Sequence, residues 1–370
     1  MNSKAMDRLR LVLGLVVVVT GAVALIQRAR RTPSEPPPCR LTWTSPAQLE
    51  MAGRTMGPIP FKVLIVPGDA TDAQAEQAAR DGYAALERIN RHMSAYRPDS
   101  DVSRLNRAGA GEAVTLDEEL LALLAVSREY TKQTDGAFDP TARQLFQLWI
   151  AAGKAGKLPS EEQIDDALAA SGWQRLALDP AARTATKAVD DLEVDLGGIA
   201  KGYAVDEVIE VLRNAGMTAG LVEVGGEVRV FGPGPHDGAW MLGLDHPFAT
   251  SATRHPLAGK LAVTDDAVAT SGNYRQFSVI DGRRYSHIID PRTGRPVDTA
   301  PSVTVIADDC TTADAWATAL SVLGPEGLAT VEAIDGVEAM MVVGTKDDAR
   351  VRRTSGFAPY LRGEIDVTVE

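Results

Sequence analysis

The chain has 370 residues, 45% hydrophobic and 24% charged, enough to bury a large core as one big domain or two smaller ones. Its 38 Lys and Arg against 50 Asp and Glu give a net charge of −12; residues 1–31 hold six bases and one acid, which leaves the rest at 32 against 49, a balance of −17. So acidic a body argues against nucleic-acid binding, which needs clustered Lys and Arg, and implies that an anionic ligand is met by a metal or by backbone amides.

The chain begins with an almost wholly apolar run, Leu11 to Ile26, flanked by Lys4, Arg8 and Arg10 and then by Arg28, Arg30 and Arg31. Residues 1–27 read as a single membrane anchor, short but sufficient with arginines snorkelling at its ends. A signal peptide with a cleavage site at Ala22–Ala24 is the alternative, and the arginines just downstream disfavour it. The Pro-rich stretch 28–45 reads as a linker and 46–370 as the folded domain. Cys39 lies in the linker and Cys310 just before a helix; they match no metal-ligand spacing and predict neither a disulfide nor a catalytic thiol.

In the folded part, "PFKVLIVP" predicts a strand. Residues 71–93 predict an amphipathic helix with Ala79, Tyr83, Leu86, Ile89 and Met93 on one face. Thr115 with Glu118 predicts a capping box for a helix through Tyr130, and Ser160 with Gln163 another for a helix to Ser171. Asp139 reads as an N-cap with Pro140 at the first helical position. "RLALD", "TATKAV" and "LEVDL" predict strands, followed by a helix from Lys201 to Asn214 that Gly216 ends. Residues 221–279 are mostly strand-like. Asp281-Gly282 predicts a type I′ hairpin within "QFSVIDGRRYSHII". "SVTVIA" predicts a buried strand before an apolar helix from Thr312 to Leu323. Hairpins with interspersed helices and no regular βαβ alternation predict an α+β fold with a largely antiparallel sheet.

Five places combine residues able to do chemistry. In "VDLGGIAKGYAVDEV" a strand delivers Asp195 to a double glycine and a helix start near Lys201, which suits a phosphate; a plain strand-to-helix turn is the other reading, and P-loop and dinucleotide-fold spacings are absent. In "TTADAWATAL" Asp314 and Thr318 share one face of an otherwise apolar helix, so they hold a hard cation such as Mg²⁺ or Asp314 caps its own helix. "TDGAFDPT" presents backbone and an aromatic that a flat ring would use. "MSAYRPDSDVSRLN" puts Tyr96 in a polar loop, where a base or an isoalloxazine would stack. "VGGEV" and "TSGNYRQF" are glycine turns where backbone approaches a ligand.

Taken in this order with "SHIIDPRTGRP", these pieces resemble the ApbE family of bacterial FAD:protein FMN transferases, from about Met56 to Gly324. The resemblance implies cleavage of FAD and attachment of FMN through a phosphoester to a Thr or Ser of an acceptor flavoprotein. It implies Mg²⁺ held by Asp314, Thr318 and a backbone oxygen at Gly198. It carries FAD contacts over to Met56, Tyr96, Ala137, Phe138, Asp139, Asp195, Lys201 and Ile289, and makes His287 the base. It implies a domain outside the cytoplasmic membrane, facing the periplasm, on a single-pass anchor. Two positions depart from the family pattern: "MGPIPF" replaces Met-Gly-Thr followed by an aromatic, and Glu227 stands where Asp is common after the double glycine. Neither falls on a metal or base position. An FAD carrier without turnover and an FAD pyrophosphatase fit the same motifs.

Overall fold

Alternating apolar side chains build the main sheet. Strands β1 (Arg40–Ser45), β2 (Gln48–Thr55) and β3 (Ile59–Val66) form an antiparallel meander that buries Leu49, Met51, Phe61, Val63 and Ile65 on one face. The computed structural model describes residues 39–249, 257–272, 277–297, 300–365 and 367. The expected anchor and residues 273–276 of "TSGNYRQF" lie outside the described residues. Among the described residues no helix is long and apolar enough to cross a membrane.

Helices α1 (Asp72–Met93) and α2 (Asp101–Arg107) come next, then strand β4 (Ala113–Thr115) and helices α3 (Glu118–Gln133), α4 (Arg143–Ala155) and α5 (Glu161–Ala170). Strands β5 (Leu176–Asp179) and β6 (Thr184–Lys187) join β4 in a small sheet. Helix α6 (Ala200–Asn214) returns the chain to the main sheet through β7 (Ala219–Val224) and β8 (Glu227–Phe231). The hairpin β9 (Trp240–Asp245) and β10 (Leu257–Val263) precedes β11 (Ala267–Ser271). Two further hairpins are β12 (Phe277–Ile280) with β13 (Arg283–Ser286), and β14 (Ile289–Asp290) with β15 (Arg295–Pro296). The chain closes with β16 (Ser302–Ala307), α7 (Cys310–Leu323), α8 (Leu328–Val331), β17 (Glu338–Val343) and β18 (Arg350–Arg353).

The main sheet runs β1-β2-β3-β7-β8-β11-β16-β17-β18, and every strand ladder among the described residues is antiparallel, as an α+β fold requires. Its central strands are buried on both faces. Val303 and Val305 of β16, Ala267 and Ala269 of β11 and Met341 of β17 face helices α1, α6 and α7. Ile306, Val268 and Met340 face the β9–β10 hairpin and Phe357. The Asp281-Gly282 turn has positive φ at both residues, 50° and 76°, as a type I′ turn needs. Ser160 and Gln163 form the expected capping box.

Four local expectations change. Residues 40–45 of the expected linker are strand β1, because their backbone pairs with β2. Thr115 is committed to the β4–β6 ladder, so α3 is capped two residues later by Asp117, whose carboxylate accepts the Glu119 N–H at 3.0 Å. Asp139 caps a turn instead of a helix: its Oδ1 accepts the Thr141 N–H at 2.9 Å and the Thr141 hydroxyl at 2.6 Å, and α4 starts after Ala142. "LEVDL" is not a ladder strand. Its backbone is satisfied by the Asn106 amide, the Lys187 ammonium and the Pro140 carbonyl.

Candidate active site

Two helices that cap each other form the centre of the site. Asp206 of α6 accepts the Cys310 and Thr311 N–H groups at 2.9 and 2.8 Å and the Thr311 hydroxyl at 2.6 Å, which satisfies the start of α7. Asp314 of α7 reaches back and accepts the Gly202 N–H at 3.0 Å, in the first turn of α6, a helix whose own N-cap position makes no side-chain bond. A Cβ on Gly202 would lie 2.1 Å from the Cys310 carbonyl oxygen, so the helices meet at this level only because residue 202 is glycine. Asp309 caps α7, accepting the Thr312 N–H at 2.7 Å, so Asp314 is not its own helix's cap.

Asp314 is 3% exposed and is held by more than one donor. The Lys201 Nζ lies 3.3 Å from its Oδ1 and 2.5 Å from Oε1 of Glu227, which is 4% exposed. Burial pulls the Lys201 ammonium down, but the Asp314 and Glu227 carboxylates outweigh it and hold its pKa above the ordinary lysine value. Burial pushes the Glu227 carboxyl up to about 7, with Lys201 pulling against that rise and Asp314 adding to it. One turn along α7, the Thr318 hydroxyl donates to the Gly198 carbonyl at 3.4 Å. A Cβ on Gly198 would sit 2.9 Å from Thr318 Oγ1 and 3.4 Å from the Phe138 ring, so this glycine too permits a close approach.

Asp314, Thr318 and the Gly198 carbonyl are all hard oxygen donors, and only one is a carboxylate. That set suits Mg²⁺, which takes few protein ligands and fills its octahedron with waters and phosphate oxygens. Among the described residues no three His, Cys, Asp or Glu side chains converge on a metal-binding arrangement.

The second half of the site lies along the segment before α6. Pro140 accepts the Asp195 N–H at 2.8 Å, tying the "TDGAFDPT" turn to that segment. Asp195 Oδ1 accepts the Gly197 N–H at 2.9 Å, and its Oδ2 lies 3.4 Å from the Tyr96 hydroxyl. The Asp195 charge, then burial, raises the Tyr96 pKa, so the phenol stays protonated as a donor. Tyr96 is 73% exposed, with the Arg143 guanidinium 5.4 Å from its ring centroid, an arrangement that offers a flat face for stacking. Ala137 and Phe138 are buried, and Phe138 walls the Gly198 turn. Burial raises the Asp139 carboxyl against its two bonds from Thr141.

The predicted base and the remaining contacts sit on turns at the rim. His287 is exposed at the end of β13. Behind it Asp290 grips Arg292 through paired 2.9 Å bonds, and Arg292 rests against Gly136, two residues before Phe138. Ile289 is 2% exposed and packs with Leu145 and Trp149, so its side chain belongs to a small core. Met56 has φ +46° in the β2–β3 turn. That turn meets the Gly225-Gly226 turn through Gly225 N–H to Pro60 carbonyl, 3.0 Å, and Gly225 in turn lies beside the Lys201 stem.

The structure thus joins Gly198, Lys201, Asp314, Thr318 and Phe138 by direct contact and pairs Tyr96 with Asp195. Met56 lies on the turn between β2 and β3, and His287 and Ile289 lie at the β13–β14 segment, apart from that cluster. Sequence reasoning missed the roles of Glu227, Asp206, Arg143 and Asn106. Glu227 was visible as a departure beside the double glycine, and Asp206 as the last polar residue of "AKGYAVD". A separate cavity of about 360 Å³ lies on the opposite face of α7, lined by Tyr130, Asp308, Asp309, Thr312, Trp316 and Asp335 among others; none of the predicted site residues lines it. Cys39 and Cys310 form no disulfide, and burial raises both thiols, that of Cys310 strongly.

Residues 60–341 match the model of the ApbE family. The FAD:protein FMN transferase of Vibrio cholerae serotype O1 is 35% identical over 319 residues, covering 85% of this chain and 93% of that protein. The FAD:protein FMN transferase of Escherichia coli K12 is 30% identical over 335 residues, covering 89% and 93%. Among solved structures, the flavin transferase ApbE from Vibrio cholerae superposes with a TM-score of 0.72 at 33% identity, over 88% of this chain and all of that one. The apo flavinyl transferase ApbE of Pseudomonas stutzeri does so with 0.73 at 33% identity, over 88% and 98%. By family model, sequence and fold alike, the chain belongs to the ApbE family.

Proposed function

We propose that the chain is an FAD:protein FMN transferase that moves FMN from FAD to a Thr or Ser hydroxyl of an acceptor flavoprotein, with Mg²⁺ and release of AMP. The observation that carries this reading is the cluster in which Asp314, Thr318 and the Gly198 carbonyl lie beside Lys201 at the start of α6. Mg²⁺, held by those three oxygens, would neutralise charge on the diphosphate. Lys201 and the first amides of α6 contribute further positive potential there, and phosphoryl transfer depends on such alignment and charge more than on covalent help. Tyr96 offers one ring face to the isoalloxazine or the adenine, and Ala137, Phe138, Asp139 and Ile289 are the further FAD contacts of this reading. The acceptor oxygen bonds to the FMN phosphorus, the bond to the AMP oxygen breaks, and AMP leaves with the bridging oxygen. His287 takes the proton of the attacking hydroxyl, which is a poor nucleophile until it loses it.

Mass spectrometry of an acceptor flavoprotein after incubation with FAD and Mg²⁺, with AMP measured in parallel, tests this. The expected result is an FMN adduct on one Thr or Ser and one AMP per adduct. An unmodified acceptor with intact bound FAD would leave a carrier. AMP and free FMN without any acceptor would make the chain a pyrophosphatase.

The same reading places residues 1–27 in the cytoplasmic membrane as a single-pass anchor with the catalytic domain on the periplasmic side. Protease accessibility in spheroplasts, before and after permeabilisation, tests it. Protection of the domain until permeabilisation would reverse the orientation, and full release by carbonate would remove the anchor.

A further inference from the structure

The acid that departs from the family pattern stands inside the charged centre. Glu227 opens β8 directly after the Gly225-Gly226 turn, whose φ values of 66° and 110° fold the backbone against the Lys201 stem. Its Oε1 is the nearest carboxylate oxygen to the Lys201 ammonium, at 2.5 Å, whereas the two oxygens of Asp314 lie at 3.3 and 3.5 Å. Its Oε2 is buried and has no hydrogen-bond partner among the described residues. A buried carboxylate satisfied on one oxygen only is costly for a fold to keep. Gly202 already fixes Asp314 Oδ2 through its N–H, so Oδ1 is the oxygen that Lys201 shares.

We infer that Glu227 is a positioning residue: it holds the Lys201 ammonium so that Asp314 is released to bind the divalent cation. This rests on the assignment of Mg²⁺ to Asp314 made above. A cation arriving at Asp314 competes with an ammonium that sits 3.3 Å away. With Glu227 present, Lys201 gives up its longer contact and keeps its shorter one, so a buried positive charge stays paired and still flanks the diphosphate. Without that carboxylate, Asp314 is the only acid on Lys201 among the described residues, and lysine and metal contend for one group.

Binding of Mn²⁺ as a probe to the metal-free full-length protein in detergent, without FAD, measures this directly by electron paramagnetic resonance. Four proteins are compared, with circular dichroism confirming the fold of each. The unsubstituted chain binds Mn²⁺, and Asp314→Asn does not. Glu227→Gln raises the dissociation constant about ten-fold or more, the effect of one charge lost beside the site. Glu227→Asp, which keeps the charge and disturbs packing least, recovers most of that loss. A Glu227→Gln protein that binds as tightly as the unsubstituted chain overturns the inference, as does a Glu227→Asp protein as weak as Glu227→Gln. Mn²⁺ binding that ignores Asp314→Asn sinks instead the metal assignment on which the inference rests.

Discussion

The α6–α7 centre and the rim that carries Tyr96 and His287 hold their functional groups in opposite ways. At the centre Asp314 and Glu227 are 3% and 4% exposed, and each helix start is closed by a carboxylate from the other helix. Those bonds serve the fold and the chemistry together, so a change there disturbs both. At the rim Tyr96 is 73% exposed, and His287 is exposed on a turn that Asp290 and Arg292 brace from behind. The rim side chains add little to the core, and replacing them removes chemistry while the scaffold stays. Under the proposed function, a buried centre that sets charge and an open rim suit a reaction between a dinucleotide and a protein.

Substitutions that break this contrast rank by expected effect. Asp314→Ala removes the buried acid and leaves Lys201 and the Gly202 amide facing each other; transfer falls about a thousand-fold, the scale of losing a principal electrostatic group, and Mg²⁺ and FAD binding weaken together in titrations. His287→Ala lowers transfer about a hundred-fold, the lower range for a lost general base, while FAD affinity and melting temperature hold. Equal loss of FAD affinity would make His287 a binding residue and erase the distinction between rim and centre. Tyr96→Ala costs about 1 kcal/mol of stacking, read as a several-fold rise in the KM for FAD at nearly constant kcat.

The smallest effect on catalysis belongs to Asp101, which lies outside both regions. Burial raises this carboxyl, but bonds from Arg104, the Asp117 N–H and His92 outweigh it and leave the pKa below the ordinary value. A carboxyl depressed in the folded state stabilises above its unfolded pKa of about 3.9, and that stability is lost as pH falls through the folded value. Asp101→Asn therefore destabilises by about 1–3 kcal/mol at pH 7, the gap in melting temperature narrows below about pH 4, and transfer stays unchanged. A gap that widens in acid would contradict the sign.

Much of the fold was legible because it rests on local patterns. The long amphipathic helix, the Ser160–Gln163 box, the type I′ hairpin and the all-buried "SVTVIA" strand each follow from side-chain period or turn chemistry within a few residues. Two of the misread boundaries share one cause: a group with several possible partners was taken by a distant segment. Thr115 went to a ladder with Thr184, and the extended segment around Val194 went to the Asn106 side chain.

The candidate site divides along the same line. Motif order and the four-residue spacing of Asp314 and Thr318 pointed to the family and to a hard-cation face, because helix geometry converts that spacing into one surface with no help from the rest of the chain. Long-range packing had to supply the rest: that Gly202 admits a second helix, that two aspartates cap each other's helices, and that Glu227 takes the larger share of Lys201. These are bonds between residues 26 to 113 positions apart, and which buried charge meets which depends on how the whole sheet brings the helices together.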